Sequence, residues 1–290
     1  MKYLRIIIWA FLGSLKKLIL RLNGFHLSKP GVAPLLPGDR EIIVTLTSYG
    51  SRVNDILPYT IHSLLVQDRK PNRIILWLDQ DNWSEEKIPP VIKKYEQFGL
   101  EVRFCEDLRS YKKLIPAMTS SPDALFITAD DDFYYSKSFV GKLLDAYEKS
   151  PAQLNAWRGH RPSFDETGKL LPYSKWFLEI GASSELPLFP TSGGGVIYSK
   201  ELLYKDVCEK QLFQELCPSA DDVWLYFMIV LQKTPVTILG GRFGISLDTF
   251  YRFRPGKASL KKKNVNQGFN DIQIANVMRH YHLSEKDLVY

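Results

Sequence analysis

ALFITADDD, residues 124–132, is the stretch on which the fold turns. Leu125, Phe126 and Ile127 run on without polar alternation, as in a strand covered on both faces. The run breaks into Asp130, Asp131 and Asp132. Sheets covered on both faces bind ligands in a crevice beyond the carboxyl ends of their strands, which is where these aspartates stand. Alternate residues leaving a strand share a face, so Asp130 and Asp132 are expected to share one ligand while Asp131 faces elsewhere. Three adjacent carboxylates repel one another unless a cation neutralises them. An oxygen-only set suits Mg²⁺ or Mn²⁺, which take substrate phosphates as further ligands. The alternative is a solvated acidic turn ahead of a helix near Ser136.

Working outward, the same grammar repeats. EIIVTLTSY (41–49), RIILWLD (73–79) and VRFCE (102–106) read as strands, and 54–67, 84–97, 111–118 and 137–149 read as helices. This predicts an α/β fold, a mostly parallel sheet with helices on both faces. Four strand ends then deliver Ser48, Asp79, Glu106 and Asp130 to Asp132 to one edge. Lys112 and Lys113 open a short helix near that edge, where one can meet phosphate while the other is solvated. Past Pro151 the alternation loosens. Trp157, Tyr173 and Trp176 serve equally as ligand-stacking aromatics or as core or lid aromatics. TSGGGVIYS (191–199) is a glycine turn running into a strand, and Gly193, Gly194 and Gly195 either admit a ligand to the backbone or simply make the turn. Asp221 and Asp222 precede VWLYFMIVLQ as helix caps or as site carboxylates. Helices are expected at 200–214 and 221–232, a strand at 235–239, a basic loop over 252–270 and a helix at 271–280.

The chain has 290 residues, 45% hydrophobic and 24% charged, enough for a real core. Its net charge of +6 is mostly local. Residues 1–22 hold Lys2, Arg5, Lys16, Lys17 and Arg21 and no acid, leaving 33 basic against 32 acidic residues elsewhere. A nucleic-acid partner is not expected from so neutral a body. Three cysteines at unrelated spacings argue against a disulfide framework or a structural zinc. On a helical wheel Leu4, Ile7, Ile8, Phe11, Leu15, Leu18 and Leu22 share one face, opposite Arg5, Lys16, Lys17 and Arg21. That pattern predicts an amphipathic helix over 1–22 lying on an anionic membrane surface, cations toward the headgroups. Packing on the protein's own core and a signal segment are the alternatives. Residues 23–39, rich in Gly and Pro, read as a linker.

The order of Thr47-Ser48-Tyr49, Asp79, Asp130-Asp131-Asp132, Gly193-Gly194-Gly195 and Ala220-Asp221-Asp222 resembles the GT-A fold glycosyltransferases that use nucleotide sugars. It is similar in particular to family-2-like bacterial enzymes of surface polysaccharide synthesis, lipopolysaccharide or capsule. The resemblance spans roughly residues 41–235. It implies that residues 40–150 bind a nucleoside diphosphate-sugar, most often a UDP-sugar, and that 151–290 bind a glycan or lipid-linked acceptor. Asp130 and Asp132 would hold Mn²⁺ or Mg²⁺, with Asp131 beside the donor. Thr47, Ser48, Tyr49, Arg52 and Asp79 would meet the nucleotide, Lys113 the phosphates, and Gly193 to Gly195 the sugar. Asp222 would be the general base of an inverting enzyme, with Asp221 the acid before it. Members often add a histidine metal ligand after that motif; this chain has none between Asp222 and Met278. The implied setting is peripheral, at the cytoplasmic face of the inner membrane. A sugar nucleotidyltransferase is the rival enzyme and a non-catalytic glycan-binding module the rival class.

Overall fold

A computed structural model describes residues 2–179, 183–184, 188–240, 250–252 and 268–288. The amino-terminal helix α1 (Lys2–Leu22) leads to β1 (Ile42–Thr47), then α2 (Arg52–Asp55) and α3 (Leu57–Leu65), the latter with proline in its first turn, where a missing N–H costs nothing. β2 (Arg73–Asp79), α4 (Pro90–Glu96), β3 (Leu100–Cys105), α5 (Ile115–Ser120) and β4 (Leu125–Ala129) continue the alternation. After the aspartates come β5 (Phe133–Tyr135), α6 (Phe139–Lys149), β6 (Leu154–Ala156), β7 (Gly159–Arg161), β8 (Phe177–Glu179), β9 (Ser183–Ser184), β10 (Phe189–Pro190) and β11 (Val196–Tyr198). α7 (Lys210–Leu216), α8 (Asp221–Gln232), β12 (Val236–Ile238), β13 (Phe250–Arg252) and α9 (Phe269–His280) complete the described elements.

The main sheet has the order β3-β2-β1-β4-β11-β6-β12-β9. β3, β2, β1 and β4 are parallel, as is the pair β6 and β12, whereas β11 runs antiparallel to both β4 and β6. The chain winds outward from β1 to β3 and returns to β1's other side as β4. That reversal opens a crevice between the ends of β1 and β4, a topological switch point.

Side-chain alternation explains why apolar runs suit these strands. Ile43, Ile75, Trp77 and Phe126 face one layer with Met118 and with Val223, Trp224 and Phe227 of α8. Val44, Leu46, Ile74, Leu76 and Ile127 face the other, with Ile61, Ile92, Phe139 and Leu143. Trp224 is fully buried and its indole N–H donates to the Val207 carbonyl at 3.0 Å. Truncating such a side chain to alanine costs about 3–5 kcal/mol.

The structure departs from the sequence reading in several places; the helix expected over 200–214, for one, is two 3₁₀ turns and then α7. Residues 23–39 are strapped to the body where a linker was expected: Leu27 is buried, and the Gly31 and Ala33 N–H groups donate to the carbonyls of Phe98 and Pro71 at 2.7 and 2.9 Å. A Cβ on Gly31 would meet Leu65 Cδ2 at 2.4 Å, so the glycine serves close approach rather than flexibility. In α1, Lys16, Lys17 and Arg21 turn onto the body instead of outward. Lys16 lies 4.7 Å from the centre of the Tyr134 ring and Lys17 5.5 Å from that of Tyr59, while Arg21 Nε donates to the Tyr59 hydroxyl at 2.7 Å. Aromatic faces attract cations more strongly where water is partly excluded. Finally, Trp157 and Trp176 are buried, and Trp176 Nε1–H donates to the Leu171 carbonyl at 2.8 Å, which makes both core aromatics. The basic loop expected before α9 lies, over 253–267, outside the described residues.

Candidate active site

β4 ends at Ala129 and the chain turns sharply through the aspartates into β5. The turn breaks the two-residue period, so the pairing expected of Asp130 with Asp132 is not the one observed. Asp131 and Asp132 share Arg52, whose Nη2 lies 2.5 Å from Asp131 Oδ1 and 3.1 Å from Asp132 Oδ2. Asp130 points to Lys113 Nζ at 3.0 Å. Ser48 Oγ donates to Asp131 Oδ2, and Thr60 Oγ1 bonds to the Asp131 and Phe133 carbonyls at 2.8 and 2.7 Å. Burial pushes the Asp131 carboxyl up to about 7 despite the pull of Arg52 and Ser48.

The second acidic pair arrives from the far half of the chain. The N-cap of α8 is Ala220, and Asp221 and Asp222 occupy its first turn, so neither aspartate is the cap. Their carboxylates still gain from the positive end of the helix dipole. Asp221 Oδ2 lies 3.1 Å from Lys113 Nζ, and Asp222 Oδ1 accepts the Ser192 N–H at 2.9 Å. Burial and then the Asp221 charge push the Asp222 carboxyl up to about 6, with Lys113 and the Ser192 bond opposing. Lys113 thus bridges Asp130 and Asp221. Burial alone would lower its pKa, but Asp130, Asp221 and Asp222 together hold it well above the usual lysine value. Its backbone is pinned as well, since Thr45 Oγ1 on β1 donates to the Lys113 carbonyl at 2.7 Å. Lys112 is equally buried and paired with Asp107, so neither lysine is the solvated one that was expected.

The glycine turn closes the third side. A Cβ on Gly193 would stand 2.0 Å from Asp130 Oδ2, and Gly195 has φ +103° with Phe139 packed beneath it. Here the glycines answer to packing and conformation. The Tyr135 hydroxyl ties the two motifs together: it accepts the Asp130 N–H at 2.8 Å and donates to the Gly193 carbonyl at 3.0 Å.

Other expected residues stand at the edge without joining this cluster. Thr47 Oγ1 donates to the Trp77 carbonyl at 2.8 Å, and Asp79 Oδ1 accepts the Asn82 N–H and Nδ2–H at 2.9 and 2.6 Å. Tyr49 is exposed, with Arg52 5.3 Å from its ring centre. Glu106 is exposed and paired with Lys210, which is exposed as well. Tyr135, Thr60 and Ser192 went unnoticed in the sequence, and no spacing announces them. Arg158 is another, its Nε donating to Thr191 Oγ1 at 2.9 Å beside the glycines.

Among the described residues no three carboxylate, imidazole or thiol side chains converge on one point. The donor chemistry nevertheless fits a hard divalent cation. Five carboxylates (Asp130, Asp131, Asp132, Asp221 and Asp222) are linked to two cations, Lys113 and Arg52. A cation that uses one or two carboxylates and takes substrate phosphates for the rest suits this imbalance.

No family model and no curated protein matches the sequence. Solved structures do match over most of the chain. S. aureus TarS 1–349 in complex with UDP-GlcNAc matches with a TM-score of 0.52 at 12% identity, over 82% of this chain and 66% of that one. S. aureus TarS itself matches with a TM-score of 0.48 at 13% identity, over 80% of this chain and 39% of that one. A 4-diphosphocytidyl-2C-methyl-D-erythritol synthase matches with a TM-score of 0.45 at 9% identity, over 83% and 99%. This chain therefore spans well under the full length of TarS. It shares the fold of the UDP-GlcNAc complex. The α/β, GT-A-like architecture expected from the sequence is the one found.

Proposed function

We propose that the protein transfers a sugar from a nucleoside diphosphate donor to a hydroxyl of a glycan or lipid-linked acceptor. One observation carries this reading: Asp130, Gly193 and the pair Asp221 and Asp222 meet at one switch point, joined by Lys113 and Tyr135. Likeness of fold to a structure holding UDP-GlcNAc supports a UDP-sugar as donor.

Released from Lys113 and Arg52, which they meet here, Asp130 and Asp132 would hold Mn²⁺ or Mg²⁺, which would supply charge neutralisation for the departing diphosphate. The remaining work belongs to the chain. Gly193 to Gly195 let the turn close onto Asp130 and Phe139 and so border the donor sugar, Ser48 and Arg52 hold Asp131 in place beside the donor, and Tyr49 offers a face to the base. Lys113 anchors the carboxylates on both sides of the crevice. Asp222, oriented by the Ser192 N–H, takes the proton of the acceptor hydroxyl as that oxygen bonds to the anomeric carbon and the bond to diphosphate breaks. A carboxyl titrating near 6 is ionised at neutral pH and more basic than an ordinary aspartate, as a general base should be. Attack opposite the leaving group inverts the anomeric centre. The motif order further supports a family-2-like enzyme of bacterial surface polysaccharide synthesis, peripheral at the cytoplasmic face of the inner membrane.

The test is turnover across a panel of nucleotide sugars with Mn²⁺, then with EDTA, for wild type and Asp132→Ala. Turnover of one donor, lost with EDTA and with the substitution, is expected. Diphosphate release from a nucleoside triphosphate and a sugar phosphate would instead mark a nucleotidyltransferase. Donor transfer untouched by either treatment would remove the metal from the scheme.

A further inference from the structure

Helix α1 is built inside out for a helix that merely packs on its own domain. Its outward face carries Phe11, Leu15, Leu18 and Leu22, with Phe11 66% and Leu22 77% exposed, and its inward face carries Leu20 and the cations already described. No helix among the described residues is long and apolar enough to cross a membrane. Beside the stripe, between α1 and α3, lies a cavity of about 530 Å³ lined by Lys16, Ile19, Leu20, Asn23, His26 and His62. Ile19 is half-exposed, so apolar stripe and polar cavity form one continuous surface.

The lining contains no acid. Lys16 is partly buried, and burial and the charge of Lys137 together lower its pKa, so an anion placed there would relieve the repulsion between the two lysines. His62 stays neutral, pushed down to about 4 by burial, with its Nδ1 3.1 Å from the Tyr134 hydroxyl. The other polar residues of the lining, Lys16, Asn23 and His26, all carry groups able to donate to an anion. No carboxylate occurs anywhere in the first 22 residues, which carry five cations. An apolar face with an adjoining cationic recess is complementary to an anionic bilayer, whose acyl region and headgroups lie in that order from the membrane interior.

We propose that this cavity receives the phosphate of an anionic phospholipid headgroup while Phe11, Leu15, Leu18 and Leu22 lie in the acyl boundary. The surface does not depend on the transfer reaction, and its test reads binding alone.

Full-length protein is sedimented with vesicles of phosphatidylcholine and of phosphatidylcholine with phosphatidylglycerol, with circular dichroism and thermal unfolding as the check that each variant is folded. Wild type is expected on the anionic vesicles and weakly on the neutral ones. Leu18→Glu removes binding to both. Lys16→Glu lowers affinity for anionic vesicles on the order of tenfold and leaves neutral vesicles unchanged, since each basic residue near such a surface contributes about 1 kcal/mol. Equal binding to both vesicle types, insensitive to Lys16→Glu, would overturn the headgroup site. So would uptake of inorganic phosphate by calorimetry without vesicle binding. A dimer in sedimentation velocity, abolished by Leu18→Glu and accompanied by no vesicle binding, would give the stripe to a second copy.

Discussion

The crevice has two acidic walls, and they are built differently. On the β4 side, Asp131 is clamped by Ser48, Arg52 and, through its carbonyl, Thr60. On the α8 side, Asp222 accepts one backbone N–H, and its charge is disfavoured by burial and by Asp221. The first wall has its geometry over-determined, as a platform for a ligand requires. The second orients its carboxylate through a backbone N–H and raises it only to about 6, so it is ionised at neutral pH yet basic, as a proton acceptor requires, whereas Asp131, raised to about 7, is not fully ionised there. Residue type is the same, so the environment assigns the role.

The sharpest break of this contrast is Asp222→Asn. It should lower kcat by about 10²–10⁴ while thermal unfolding and donor binding stay near wild type, because only the proton acceptor is lost. Comparable loss from a folded Asp131→Asn variant would erase the distinction. Next is Arg52→Met, expected to cost stability by about 3–5 kcal/mol at pH 8 by stranding Asp131 and Asp132 in a buried setting. The sign with pH follows from Asp131, whose folded pKa of about 7 lies above that of an unfolded aspartate. A group raised in this way favours folding at low pH, and its contribution declines as pH rises until the folded pKa is passed. Without Arg52 that pKa climbs further, so the deficit measured by denaturant titration should shrink at pH 6.

Gly193→Ala probes the seam between the walls. Its Cβ would displace the Asp130 carboxylate, and a shift of about 1 Å in such a group costs on the order of 100-fold in rate. Donor affinity measured by calorimetry should fall alongside. In the wild type, kcat should drop tenfold per unit as pH falls below about 6, since protonated Asp222 cannot accept a proton. A flat profile down to pH 5 would remove Asp222 as the base. The mildest change is Tyr135→Phe, which deletes the hydroxyl between the Asp130 N–H and the Gly193 carbonyl. Removing a partner from the part-buried Asp130 N–H and the buried Gly193 carbonyl costs about 1–3 kcal/mol, measurable as a lowered denaturation midpoint.

The elements were more legible than the site. RIILWLD at 73–79 and the helix at 221–232 lie where the sequence places them, because burial on two faces or along one helix writes a local period. β11 was legible as a strand, but its antiparallel direction was not, since period and composition are the same either way. The helix read over 111–118 is a 3₁₀ turn, Arg109–Lys113, followed by α5. α1 shows the limit well. Its amphipathic stripe was visible, but that Lys16 and Lys17 lie over aromatic rings of the body was not, because those rings belong to Tyr134 and Tyr59, distant in the chain.

From the order of its residues alone, this protein's α/β class, its strand ends and the collection of Asp130 to Asp132, Gly193 to Gly195 and Asp221 to Asp222 along one edge could be read. Those are local properties: an apolar run, a polar break, a glycine turn. Which carboxylate meets which cation was decided only by the tertiary structure. Lys113 reaches Asp130 and Asp221 from segments far apart in sequence, and Arg52 takes Asp131 and Asp132 together because the chain turns there. Charge–charge and hydrogen-bond energies depend on distance and burial across the fold, and neither quantity is written in the spacing of residues along the chain.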